Sequence, residues 1–160
     1  MNHEISLDTI DRRIVTALMA AGRSTYDELA AQVGLSASAA LRRVKRLEEA
    51  GVITGYAALV APERVGLPLT AYISVRLAKH TDPSHKSPID AFTAAVQSWP
   101  EVVECVALTG EMDYLLRVLV RDMTHFSRFI MDHLLRHPTV QDCKSSFILR
   151  RLKGTQALPL

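Results

Sequence analysis

The chain has only two cysteines, Cys105 and Cys143, in 160 residues, and they stand in no metal-ligand spacing. Both fall inside strand-like runs, so they read as reduced, buried thiols of a cytosolic protein and not as a disulfide framework or a metal site. No apolar run approaches the length of a membrane span, and Met1 to Ser6 carries no apolar signal segment. These absences predict a soluble, cytoplasmic protein with no membrane partner. No phosphate-binding glycine loop and no nucleophile–base arrangement occurs, so nothing singles out a catalytic residue, and no cofactor is expected. The formal net charge is only +2, too weak by itself to point to nucleic acid. With 48% hydrophobic residues, the chain has ample material for a core, in one large or two small domains.

What basic charge there is clusters. Ser36 to Ile53 reads S-A-S-A-A-L-R-R-V-K-R-L-E-E-A-G-V-I. On a helix, Ala37, Ala40, Leu41, Val44 and Leu47 share one side. Arg42 and Arg46 centre the opposite side, flanked by Ser38, Ala39, Arg43 and Lys45. The apolar face can dock on a core. The basic face, floored by small residues, can enter the major groove of duplex DNA, whose phosphates reward clustered Arg and Lys. The preceding Thr25 to Ser36 predicts a capped short helix, a turn through Gly34 and a second N-cap at Ser36. Upstream, Asp8 can cap a third helix whose Ile10, Ile14, Ala17 and Leu18 share a face and which Gly22 stops. This is the helix-turn-helix pattern, its second helix reading the groove through Ser36, Ser38, Ala39, Arg42, Arg43, Lys45 and Arg46. A merely solvated basic helix is the plainer alternative, and the turn, caps and first helix in register argue against it.

After Gly51 the period changes. Val52 to Val60 is short and strand-like, able to form a wing and connector, and Pro62 with Gly66 and Pro68 marks a boundary. The domains expected are a helix-turn-helix unit over 1–53, a strand and linker over 54–68, and a second domain over 69–160. In that domain Trp99-Pro100-Glu101-Val102-Val103-Glu104-Cys105 is echoed by His137-Pro138-Thr139-Val140-Gln141-Asp142-Cys143. Each copy follows an amphipathic helix (from Ser87 to Trp99, and from Asp122 to Leu134) and leads into a strand, Val102 to Thr109 or Val140 to Leu149. Strands at Leu69 to Ala78 and Tyr114 to Arg121 precede the helices. The fold class is α+β, with a ferredoxin-like βαββαβ sheet covered by helices on one face. Apolar alternation on both faces of the inner strands asks for a partner, most simply a second copy of the chain.

The turn Thr109-Gly110-Glu111-Met112-Asp113-Tyr114 is a second candidate site. Its backbone amides can meet a carboxylate and Asp113 an ammonium, the two ends of an amino acid, although an acidic hairpin turn is more often simply solvated.

Here the chain resembles the leucine- and asparagine-responsive (Lrp/AsnC, feast/famine) transcriptional regulators, from Leu7 to about Leu160. The resemblance is carried by Leu7-Asp8-x-x-Asp11 with Gly22-Arg23, Val33-Gly34-Leu35-Ser36, Leu41 to Glu48, Gly51-Val52-Ile53, Thr109 to Leu116 and Ser145-Ser146-Phe147. It implies a winged helix-turn-helix joined to a ferredoxin-like effector domain that dimerises and builds a higher oligomer, commonly an octamer. It further implies promoter DNA as partner, and an amino-acid effector held between subunits by Thr109, Gly110, Glu111, Met112, Asp113 and Tyr114, with Gln141 and Asp142. The tail resembles the branch answering to leucine, methionine, other branched-chain metabolites or cysteine, which favours a hydrophobic amino acid such as leucine or methionine. Two departures stand out: Ala37, Ala39 and Ala40 replace the family's frequent Pro and Cys, and Glu111-Met112 replaces its usual Asp-aromatic pair. Two other readings are weighed. One is an architectural DNA-coating protein with no effector. The other is a sirohaem-decarboxylase-like enzyme using His125, His133 and His137, against which the arginine-rich helix argues, since an enzyme has no use for it.

Overall fold

The computed structural model describes residues 6–78, 87–154 and 158–159. The chain divides into two compact units, Met1–Ala58 with Leu152–Leu160, and Leu59–Arg151.

The first unit holds α1 (Thr9–Ala20), α2 (Tyr26–Val33) and α3 (Ala37–Glu49). Each begins on a side-chain cap. Asp8 and Asp11 form a reciprocal capping box on α1, Thr25 and Glu28 do the same on α2, and Ser36 Oγ accepts the Ala39 amide on α3. Gly34 closes α2 in the left-handed region at φ 74°, so the chain turns at once into α3. Ile14, Leu29, Val33, Val44 and Leu47 make the core, with Ile10, Ala17, Leu18, Val52 and Ile53 packed around it.

The Val52–Val60 run forms no strand, contrary to expectation. Among the described residues it has no neighbouring strand to ladder with. Val52 and Ile53 instead send their amides to the Leu47 carbonyl, and the Tyr56 hydroxyl donates to Glu48 Oε1 at 2.9 Å. Burial first and Glu48 second push the Tyr56 phenol up to about 12.

The second unit contains β1 (Leu69–Leu77), α4 (Pro88–Gln97), β2 (Val102–Ala107), β3 (Tyr114–Val120), α5 (Met123–Phe129) and β4 (Val140–Phe147). The sheet is antiparallel in the order β2-β3-β1-β4, the ferredoxin-like arrangement expected. The second long helix is not continuous, since Ile130–Leu134 widens into a π-helical turn after α5. Ala71, Ile73, Val75, Leu116, Val118 and Val120 face Phe92, Val96, Phe126 and Phe129 of the helices. The internal repeat meets itself here. Trp99 and His137, equivalent in the two copies, pack edge to face at 6.1 Å, and both touch Phe92.

The opposite sheet face is mixed. Val106 is paired with Leu115, but Glu104 pairs with Arg117 at 3.1 Å, and Tyr72, Ser74 and Lys144 share that face. The expectation of an apolar face on both sides holds only in part, since on β3 Leu115 and Leu119 flank Arg117. Cys105 is also exposed and not buried, because β2 is an edge strand beyond the reach of the helices, while Cys143 is half-buried.

Candidate DNA-binding and ligand sites

In α3 the buried face is Ala40, Val44 and Leu47, and Ser36, Ser38, Arg42, Lys45 and Arg46 are exposed, with Ala39 and Arg43 half-buried. The four basic residues divide into two pairs. Arg43 reaches back to α1, meeting Asp8 Oδ2 at 2.6 Å and Asp11 Oδ1 at 2.8 Å. Arg46 bonds the other oxygen of Asp11. Asp11 is 1% exposed, so its charge is balanced by two guanidiniums on another helix. The Arg43 hydrogen bond, then the Asp11 amide, hold the Asp8 carboxyl down at about 2, while Arg43 is raised in return. Arg42 and Lys45 make no such ion pair among the described residues and project from the exposed side. The helical wheel separates Arg42 and Arg46 from the core, yet it cannot register that α1 offers Arg46 a partner. A further clamp, Arg13 to the Gln32 carbonyl at 2.7 Å, ties α1 to α2.

The second site is a cavity of about 690 Å³ where β1 ends beside the β2–β3 turn, lined by Arg76, Leu77, Ile89, Leu108, Gly110, Glu111, Asp113 and Tyr114 among others. Gly110 holds φ 116°, which favours glycine. Asp113 is committed to the fold: its amide donates to the Val75 carbonyl, and its Oδ2 accepts the Leu77 amide at 2.7 Å, extending the ladder ahead of the start of β3. Of the residues expected from sequence, Gly110, Glu111, Asp113 and Tyr114 come together in the cavity. Thr109, Met112, Gln141 and Asp142 do not line it. Met112 turns its sulfur toward Arg76, and Gln141 and Asp142 are exposed on the edge strand β4. Sequence reasoning missed Arg76, which binds Glu111 Oε1 at 2.6 Å. The alternation of β1 assigns it only to the open face, and nothing local places it beside a loop 35 residues onward.

The three histidines are occupied in packing and local bonds. His125 pairs with Glu101 at 3.0 Å, and His133 packs tilted and His137 edge to face against Trp99. Burial, the largest single influence, would raise Glu101, but the His125 bond, a backbone bond and the charges of His125 and His133 together outweigh it and the net shift is downward. Burial lowers His137, so it favours the neutral ring. Among the described residues, no three His, Cys, Asp or Glu side chains converge to hold a metal ion.

Comparison with known proteins decides the family. Residues 70–158 match the Lrp/AsnC ligand binding domain, and residues 7–54 match a winged helix-turn-helix DNA-binding domain. The chain belongs to the Lrp/AsnC family. Its Lrp/AsnC relatives include a transcriptional regulator from Neisseria meningitidis solved as an L-methionine complex, 47% identical, with TM-score 0.89 over 96% of this chain and 97% of that one. The feast or famine regulatory protein of M. tuberculosis, complexed with L-methionine, is 35% identical with TM-score 0.81 over 96% and 99%. The leucine-responsive regulatory protein of Haemophilus influenzae is 36% identical over 97% of this chain and 91% of that protein. These Lrp/AsnC relatives are regulators, and the family carries both modules described above. No described helix is long and apolar enough to cross a membrane.

Proposed function

We propose that this Lrp/AsnC protein is a cytoplasmic regulator of amino-acid metabolism genes, and not an enzyme, whose grip on promoter DNA answers to a hydrophobic amino acid such as methionine or leucine. The observation that carries the ligand reading is the cavity at the Gly110–Tyr114 turn, which sets one arginine and two carboxylates against the apolar Leu77, Ile89 and Leu108. A zwitterion with an apolar side chain suits such a lining. Asp113 faces the ammonium with the oxygen not committed to Leu77, and Gly110 and Tyr114 shape the wall. The L-methionine complexes of two relatives point to the same ligand class.

DNA is met by α3, with Arg42 and Lys45 on phosphates or base edges and Ser36, Ser38 and Ala39 leaving room for close approach. Arg43 and Arg46 serve by fixing the angle of α3 against α1. A homodimer built on the mixed sheet face, where Val106 and Leu115 lie exposed or half-buried, supplies two such helices, and dimers assemble further, up to an octamer. Gln141 and Asp142, outside the cavity of their own chain, reach ligand only from another copy.

The test is a thermal-shift screen of the twenty amino acids at millimolar concentration, followed by promoter-binding titration with and without each hit. One hydrophobic amino acid raising the melting point and altering DNA affinity supports the proposal. Silence across the panel with intact DNA binding favours an effector-free architectural protein.

A further inference from the structure

We infer that Arg76 is the residue that recognises a free carboxylate in this cavity, and that Glu111 is its built-in competitor. The inference rests on the ligand reading above and adds to it the group that selects for an acid.

Arg76 closes β1 one residue before its end, with its side chain 29% exposed. Its Nη2 donates to Glu111 Oε1 at 2.6 Å and lies 3.8 Å from Met112 Sδ. Its Nε is buried and has no acceptor among the described residues. A buried guanidinium N–H without an acceptor is costly, which leaves this nitrogen an unsatisfied donor on a residue that lines the cavity. Nε and Nη2 share one edge of the guanidinium, the edge that a carboxylate meets with two parallel hydrogen bonds. Glu111 uses only half of that edge.

The remaining acidic groups do not fill the other half. Asp113 is fixed to the Leu77 amide, and Asp142, although the cross-strand neighbour of Arg76, makes no bond to it. Glu111 is 73% exposed on the turn, so exchanging it for another carboxylate costs little, because an exposed pair is weak and the released side chain returns to water. An incoming carboxylate that takes both donors gains one charge-assisted bond over Glu111. With Asp113 on the same wall, the positive and negative ends of a free amino acid each find an opposite charge. An amide or ester of the same amino acid cannot take the bidentate position without losing the charge.

The experiment compares L-methionine with L-methioninamide on the full chain by calorimetric titration, at a pH where both amines are protonated. Methionine is expected to bind at least about tenfold more tightly, the scale of a charge-assisted pair. Arg76→Gln should erase most of that preference, and Glu111→Gln should tighten methionine binding severalfold by removing the competitor. Equal binding of acid and amide to the natural chain overturns the assignment of Arg76, and this arm stands even if Arg76→Gln does not fold. Weaker methionine binding by Glu111→Gln overturns the competitor role and makes Glu111 a ligand contact. Failure of both compounds to bind the natural chain removes the methionine reading itself, a result distinct from loss of the preference.

Discussion

Burial separates the roles of two of the arginine–carboxylate contacts among the described residues. In the helical unit, Arg43 and Arg46 converge on Asp11, which is 1% exposed. In the sheet unit, Arg76 meets Glu111, which is 73% exposed. The same chemistry gives a fixed brace in one place and an exchangeable contact in the other. A buried carboxylate stripped of its partners pays the full desolvation penalty, whereas an exposed one trades its partner for water. Charge on a helix is therefore no guide to what that charge is for until its partners are known.

The comparison breaks most visibly at Asp11. Asp11→Ala should destabilise the helical unit by about 2–3 kcal/mol, somewhat under the ~3–5 kcal/mol of a fully buried pair because both guanidiniums can turn toward water. Chemical denaturation followed by helical circular dichroism measures it. Glu111→Ala should change stability by less than about 1 kcal/mol. A comparable loss at both sites would end the distinction drawn between them.

The next effect concerns DNA. If Arg42 and Lys45 carry the phosphate contacts, replacing each by Ala should lower the slope of log affinity against log salt by about 0.9, sequence-independently for a phosphate contact. Arg43→Ala should leave that slope near the natural value while lowering the melting temperature. A slope change at Arg43 equal to that at Arg42 would mean that the brace opens on DNA and that all four basic residues face the groove.

How much of this was legible in sequence follows from the range of each interaction. The caps at Asp8, Thr25 and Ser36 and the glycine turn at Gly34 are local, and the three helices follow from them. The repeated Pro-x-Val segments place β2 and β4, and with them the order of the sheet. Tertiary partners were not legible. Arg46 looks like a surface arginine because the carboxylate that holds it is 35 residues earlier. Arg76 looks like an ordinary strand residue because its turn lies 35 residues later. Val52–Val60 has the composition of a strand, but a strand needs a neighbour, and none of the described elements supplies one. Asp113 stands out in the sequence as a candidate carboxylate of the turn, and it lines the cavity. Its hydrogen bond to Leu77, which makes it part of the sheet, was not legible there. Asp113→Ala should therefore cost about 1–2 kcal/mol in the sheet unit besides weakening any ligand, because the Leu77 amide loses its acceptor. Hydrogen exchange at Leu77 checks it directly: unchanged protection there would return Asp113 to the role of a pure ligand contact.

The smallest effect sharpens the comparison from within the brace. Asp8 shares Arg43 with Asp11 but is an exposed partner, and its carboxyl is lowered from 3.8 to about 2. A depressed folded value means that the unfolded chain binds the proton first as pH falls. The stability Asp8 contributes is thus fully present above pH 3.8 and drains away between there and about pH 2. Asp8→Asn should remove that contribution at every pH above 3.8, lowering stability at neutral pH, and should flatten the fall between there and about pH 2. At neutral pH its other consequence is electrostatic, since Arg43 keeps only Asp11 as counter-charge and has more freedom to meet a phosphate. Non-specific DNA affinity at low salt should then rise modestly. A drop in affinity would show instead that Asp8 is needed to hold α3 at its binding angle, and that even the exposed member of this cluster belongs to the brace.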